Sequence, residues 1–138
     1  MATTFKLFKD SGLTQEFIPG TDFIGPVTNP PETFSIWLGS NTAANKAEAD
    51  SDPGNDQITV SITDSDPGNN LEDSDVQLGT DAASAAVATG GASLDLGTVI
   101  NGGVGNAQEI AVRVSYSGGL TSDQTVGIAL NTLRESVI

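Results

Sequence analysis

The stretch Asp50-Ser51-Asp52-Pro53-Gly54-Asn55-Asp56-Gln57-Ile58-Thr59-Val60-Ser61-Ile62-Thr63-Asp64-Ser65-Asp66-Pro67-Gly68-Asn69 decides the class of fold. The hexapeptide DSDPGN occurs twice, and QITVSIT between the copies alternates apolar and polar residues. Alternation with period two is the mark of a half-buried strand. Asp-Pro-Gly-Asn is a strong type II turn: proline presets φ at the second position, and glycine accepts positive φ at the third. The stretch therefore reads turn, strand, turn.

The same pattern extends outward. Phe34, Ile36 and Leu38 alternate until Gly39, and Val76 and Leu78 until Gly79. Leu94 and Leu96 precede Gly97; Ile110, Val112, Val114 and Tyr116 precede Gly118-Gly119; Val126, Ile128 and Leu130 make the last clear set. A further weak strand is expected within AAVATGG (85–91), giving about seven short strands bounded by turn residues. An all-β fold follows, read as an antiparallel immunoglobulin-like sandwich over residues 32–138. A jelly roll or small barrel is the alternative. Two alanine-rich stretches, 42–50 and 81–88, are candidates for helical turns, the second with an equally good strand reading; TLRESVI is expected to end the chain as a turn or short strand.

Residues 1–31 differ. Phe5, Phe8, Phe17 and Phe23 fall here with Pro19, Pro26, Pro30 and Pro31, and no long periodic segment. TFKLFK suits one short strand, and the remainder reads as an extended, proline-stiffened N-terminal arm. Four phenylalanines need an apolar cover, which is either the arm's own domain or a partner. On the second reading, deletion of residues 1–31 leaves a folded sandwich that no longer assembles. Trp37 falls out of phase with Phe34, Ile36 and Leu38, so it is expected on the outer face, under the arm or at an interface. The candidate partner-binding residues are Phe5, Phe8, Phe17, Phe23 and Trp37.

Charge and composition narrow the chemistry. The 138-residue chain has no cysteine and no histidine, and a net charge of −13 from five cations and eighteen acids. Thiolate or imidazole metal sites and histidine-based nucleophilic catalysis are excluded. So much negative charge repels nucleic acid and anionic lipid, so neither nucleic acid nor membrane is an expected partner. MATTFKLFKD lacks the apolar centre of a signal peptide, and synthesis in the cytoplasm is expected.

Ten of the acids lie between Glu48 and Asp81. Turn chemistry explains one aspartate per DSDPGN copy and leaves a surplus. Asp50, Asp52 and Asp56 have the one-three-seven spacing of hard oxygen ligands, which makes calcium the one candidate cofactor and these three the candidate ligands. The EF-hand pattern fails, because Gly54 stands at position five and Ser61 at position twelve. The two turns lie about 20 Å apart along the strand and would not share an ion. No phosphate loop, dinucleotide fingerprint or nucleophile elbow is present, and Gly102–Asn106 reads as a turn. No catalytic residues are assigned, and the chain reads as no enzyme.

An acidic, cysteine-free β-domain behind a proline-rich aromatic arm resembles accessory structural proteins of tailed bacteriophage virions: capsid decoration (cement) proteins and the Ig-like domains of tail and baseplate components. FSIWLGS, DSDPGNDQITVSITDSDPG and LNTLRES carry the likeness. The resemblance implies location in the virion, the major capsid protein or other virion subunits as partners, a homo-oligomer, and attachment through the arm. A calcium-dependent module for a carbohydrate or receptor is the alternative from a different class.

Overall fold

The computed structural model describes residues 3–19, 21, 22, 24, 31–65, 68, 71–115 and 126–138. It is mostly β. The strands are β1 (Lys6–Phe8), β2 (Glu32–Gly39), β3 (Asn45–Ala49), β4 (Thr59–Asp64), β5 (Val76–Gly79), β6 (Leu94–Asp95), β7 (Ile100–Asn101), β8 (Gln108–Val114), β9 (Val126–Leu130) and β10 (Leu133–Val137). One short helix, α1 (Ala82–Val87), follows β5. All named pairings are antiparallel, in sheets ordered β1-β2-β8-β5, β10-β3-β7 and β6-β4-β9.

The two three-stranded sheets are consecutive halves of one interrupted sheet. β4 continues β3, β7 continues β6, and β10 continues β9. Hydrogen bonds carry the ladder across the break: Asp50 N to Thr132 O at 2.9 Å, Leu96 N to Ile58 O at 2.8 Å, and Ile58 N to Gly97 O at 2.8 Å. The Asn131 side chain completes the join, accepting from Thr59 N at 3.0 Å and donating to Gln57 O at 3.0 Å. Residues 50–57 are thus an excursion out of a long ribbon.

Counted this way, seven strand lines form two sheets. The order is first-second-sixth-fourth in one and seventh-third-fifth in the other. After the β1–β2 pair, every successive line crosses to the opposite sheet. Both sheets contribute to one hydrophobic cluster, including Ile36, Leu38, Ile58, Val60, Val76, Leu78, Ile100, Ile110, Val112, Val114, Val126 and Ile128. In an immunoglobulin sandwich the second strand pairs with the fifth; here it pairs with the sixth, β8, over Glu32–Leu38.

The alternating readings fall on strands β2, β4, β5, β6, β8 and β9; Tyr116 and Gly118-Gly119 lie outside the described residues. Ile58 and Val60 are fully buried and Ile62 packs on the core. The alanine-rich stretches divide. Residues 82–87 are helical, with Asp81 accepting from Ser84 N at 2.7 Å as the N-cap. That helix takes the place of the weak strand expected at 85–91. Residues 45–49 form a strand instead of a helix. Ala47 and Ala49 face inward, fully buried, while Lys46 and Glu48 share the outer side and pair at 3.4 Å. Pairing on both edges, to β10 and β7, overrides alanine's helix preference.

Residues 5–17 are a hairpin packed into the domain: β1 is the short strand expected in TFKLFK, and the segment covers its phenylalanines on its own domain, one of the two covers expected. Beyond β1, Lys9 N donates to Gln15 O at 2.7 Å and Phe17 N to Leu7 O at 2.8 Å. Phe5, Leu7, Phe17 and Ile24 belong to the same cluster as the sandwich residues, so one core spans the expected boundary at residue 31. No helix among the described residues is long and apolar enough to cross a membrane.

Candidate functional site

The first acidic turn forms as its sequence dictates. Asn55 N and Asp56 N donate to Asp52 O at 3.1 and 3.0 Å, and Gly54 has φ of 84°. That positive φ and the i to i+3 bond are the type II signature. Of the second copy, the structure describes Asp64, Ser65 and Gly68, whose φ is 91°; the rest lies outside the described residues.

The three candidate calcium ligands take separate partners. The Asp50 carboxylate lies 3.4 Å from Arg134 Nε. Asp52 accepts from the Asn55 amide at 3.2 Å, and Asp56 accepts from Ser51 Oγ at 2.6 Å. Among the described residues, no three acidic side chains are grouped closely enough to hold a metal ion. The surplus acids of this turn are engaged in local hydrogen bonds and one exposed ion pair.

Carboxylates do gather at the far end of β4. Partial burial pushes the Glu72 carboxyl above its ordinary value, the Gly68 amide opposes this, and the nearby Asp64 and Asp73 push it further up. A raised carboxyl binds protons more tightly in the folded state. Its contribution is therefore favourable at low pH and is lost as pH rises from the ordinary 4.5 through the folded value. Glu72→Gln is expected to flatten that part of the stability profile. Urea midpoints across the acid-to-neutral range check it; a variant with the wild-type slope counts against the assignment.

The aromatic candidates are placed differently from one another. Phe5 and Phe17 are 4% exposed and lie in the core. Phe8 is 8% exposed on the opposite face of the sheet, directly across from half-buried Trp37. Phe23 lies outside the described residues. Phe5, Phe8 and Phe17 are therefore covered by this chain itself, and Trp37 is covered in part.

A turn at residues 10–14 brings Leu13 against Gly39. Asp10 organises it, accepting from Thr14 Oγ1 at 2.6 Å and Gln15 N at 2.8 Å; these bonds hold its carboxyl below the usual range. Leu13 sits in the left-handed region at φ of 55° and is buried, pressed toward Gly39. A Cβ at Gly39 would approach Leu13 Cδ1 to 3.1 Å, so the glycine admits the leucine. Phe8 and Leu13 are thus buried outside the main core cluster, Phe8 across from Trp37 and Leu13 beside Gly39.

A polar latch fastens the N-terminus to the last strand. Glu135 Oε1 accepts from Thr4 N at 2.6 Å, Oε2 accepts from Thr4 Oγ1 at 2.8 Å, and Oε2 accepts from the Asn45 amide at 2.6 Å. Thr4 Oγ1 also lies 2.6 Å from Oγ of Ser40, which is fully buried. Partial burial works against the Glu135 charge, but the donations from Asn45, Thr4 and Phe5 prevail and lower its pKa. Lowered, this carboxyl stabilises the fold above its ordinary 4.5, and the contribution is lost as pH falls through the folded value. Glu135→Gln is expected to cost about 1–2 kcal/mol at neutral pH. Hydrogen exchange should quicken first at residues 5–8, and unchanged protection there would contradict the latch.

The sequence reading missed this latch. Thr4 and Glu135 stand 131 positions apart, and neither belongs to a motif. Ser40 after Gly39 reads as a turn residue; nothing local marks it as buried. Comparison of the chain with protein-family models, with curated proteins and with solved structures gave no match.

Proposed function

We propose that this chain is a non-enzymatic structural protein of a bacteriophage virion, most directly a capsid decoration (cement) protein made in the host cytoplasm and working in multiple copies. The observation that carries the reading is a small, strongly acidic β-domain, net charge −13, without cysteine or histidine and built on antiparallel sheets around one core. Attachment then falls to surface other than the buried face of the N-terminal hairpin, whose apolar side chains this chain's own core already takes up. Repetition over a symmetric surface then multiplies a modest single-site affinity. The acidic surface keeps decorated particles apart and soluble.

The strand order supports a jelly-roll-type sandwich over an immunoglobulin one, because successive lines alternate between sheets. Jelly rolls are frequent in viral capsid and lectin domains, and the link from fold to role is an analogy.

Sedimentation tests the role directly. Purified protein mixed with particles that lack it should pellet with them and raise their resistance to heat or chelator. Protein that stays in the supernatant at every concentration, with particle stability unchanged, would overturn the proposal.

A further inference from the structure

We propose that the cleft between the N-terminal hairpin and the segment after β2 binds a neutral sugar. The inference goes beyond the structural role and does not depend on it.

The first observation is the cleft itself. Its volume is about 420 Å³, within the range of about 300–1,000 Å³ that holds small organic ligands. One wall comes from the hairpin: Thr3 and Thr4 before β1, Lys6 and Phe8 of β1, and Thr14 and Glu16 on the returning segment. The other wall is Asn41 and Thr42, just after β2. Phe8 is the one aromatic in the lining and is almost wholly buried, so it supplies floor, and the polar side chains supply the rim.

The second is the chemistry of that rim. It holds four threonine hydroxyls, one carboxamide and one ion pair, Lys6 Nζ to Glu16 Oε1 at 3.7 Å. Neighbouring sugar hydroxyls both accept and donate, so a pair of them can accept from Lys6 and donate to Glu16. Charge selects the class of ligand. The chain carries −13, yet this lining has one cation and one anion. An anionic ligand meets Glu16 and the field of the whole chain. A cationic ligand is drawn instead to the acid-rich remainder of the chain, and an apolar one leaves the rim without partners. A neutral polyhydroxylated ligand satisfies every group. The Lys6 and Glu16 side chains are 48% and 38% exposed, so little is lost when they turn from each other to a ligand.

The third is that the rim is held in place before any ligand arrives. Thr3 Oγ1 donates to Phe5 O at 2.9 Å, Thr4 Oγ1 donates to Glu135 Oε2 at 2.8 Å, and Thr14 Oγ1 donates to Asp10 Oδ2 at 2.6 Å. A hydroxyl that donates inward keeps lone pairs for a sugar hydroxyl. Asn41 donates its Nδ2 to Leu13 O at 3.2 Å, which leaves Oδ1 as an acceptor. This bond and the Thr4–Ser40 contact at 2.6 Å tie the two walls together. Binding then costs little side-chain freedom. The latch of Thr4, Ser40 and Glu135 thereby shapes a site as well as closing the fold.

Trp37 is the one tryptophan and pairs across β1 and β2 with Phe8, so its fluorescence and indole resonance report on the cleft. The isotope-labelled full-length chain is titrated with glucose, galactose, mannose, N-acetylglucosamine, lactose and sialyllactose. At least one neutral sugar should move the amide resonances of residues 4–8, 14–16 and 41–42 saturably, at millimolar concentration. Sialyllactose should bind about tenfold more weakly than lactose. Glu16→Gln should weaken the best neutral sugar by about tenfold, the loss of one charged hydrogen bond. Asp95→Asn, which removes the same charge from β6 on the other sheet, should leave it unchanged. No saturable shift from any of the neutral sugars, or shifts centred on other residues, would overturn the proposal. Sialyllactose binding as tightly as lactose, or equal losses in Glu16→Gln and Asp95→Asn, would overturn it too. Sedimentation with particles is read separately, so either result stands without the other.

Discussion

Phe17→Ala is expected to destabilise the domain by about 3–5 kcal/mol, the range for removing a buried phenylalanine. Phe17 is 4% exposed and packed in the central cluster. The site cannot close by shifting its backbone, because Phe17 N is held to Leu7 O at 2.8 Å. Deleting residues 1–24 goes further, stripping Phe5, Leu7, Phe17 and Ile24 together. By burial alone that loss is about 6–12 kcal/mol, comparable with the about 5–15 kcal/mol by which small domains are usually stable. The truncated chain is therefore expected not to unfold cooperatively, the reverse of what an independent arm predicts. Trp37, the one tryptophan, faces Phe8 and reports the outcome by fluorescence during urea unfolding. A truncated chain with a wild-type midpoint would show that the hairpin contributes nothing to the core.

That reversal shows where local sequence stops informing. In QITVSIT the period-two pattern and the flanking turns act within a few residues, so the strand was legible with its inward face. Asn45–Ala49 carries alanine in a polar frame, and only its two neighbours in the sheet make it a strand. Phe5 and Phe17 were visible as aromatics in need of cover. What covers them depends on Ile36, Leu38 and Val126, up to about a hundred residues away. The strand order is of the same kind: alternation names a strand and its face, but not its neighbour. The acidic turn was legible as a turn, and the separate partners of its surplus carboxylates, Ser51, Asn55 and Arg134, needed coordinates.

The second large effect belongs to a glycine. Gly102→Ala is expected to cost about 3 kcal/mol, the upper end of the overpacking range. A Cβ there would lie 2.0 Å from Thr42 O and 2.9 Å from Asn45 O, both backbone atoms. Neither can move freely, since Asn45 O accepts Gly102 N at 2.7 Å and Thr42 N is held by Ser40 Oγ at 3.0 Å. Relief requires β7 to leave β3, which opens the edge of the second sheet beside the Thr4–Ser40–Glu135 latch. Gly105 is the internal control. It sits three residues on in the same loop, where an added Cβ would meet no atom within 4 Å and φ is not positive. Gly105→Ala removes backbone freedom from the unfolded chain without a clash and should be neutral to stabilising by up to about 1 kcal/mol. Thermal unfolding of the two variants side by side checks the pair. Equal melting temperatures would mean that the close approach of Gly102 to residues 42–45 does not hold the sheet edge together.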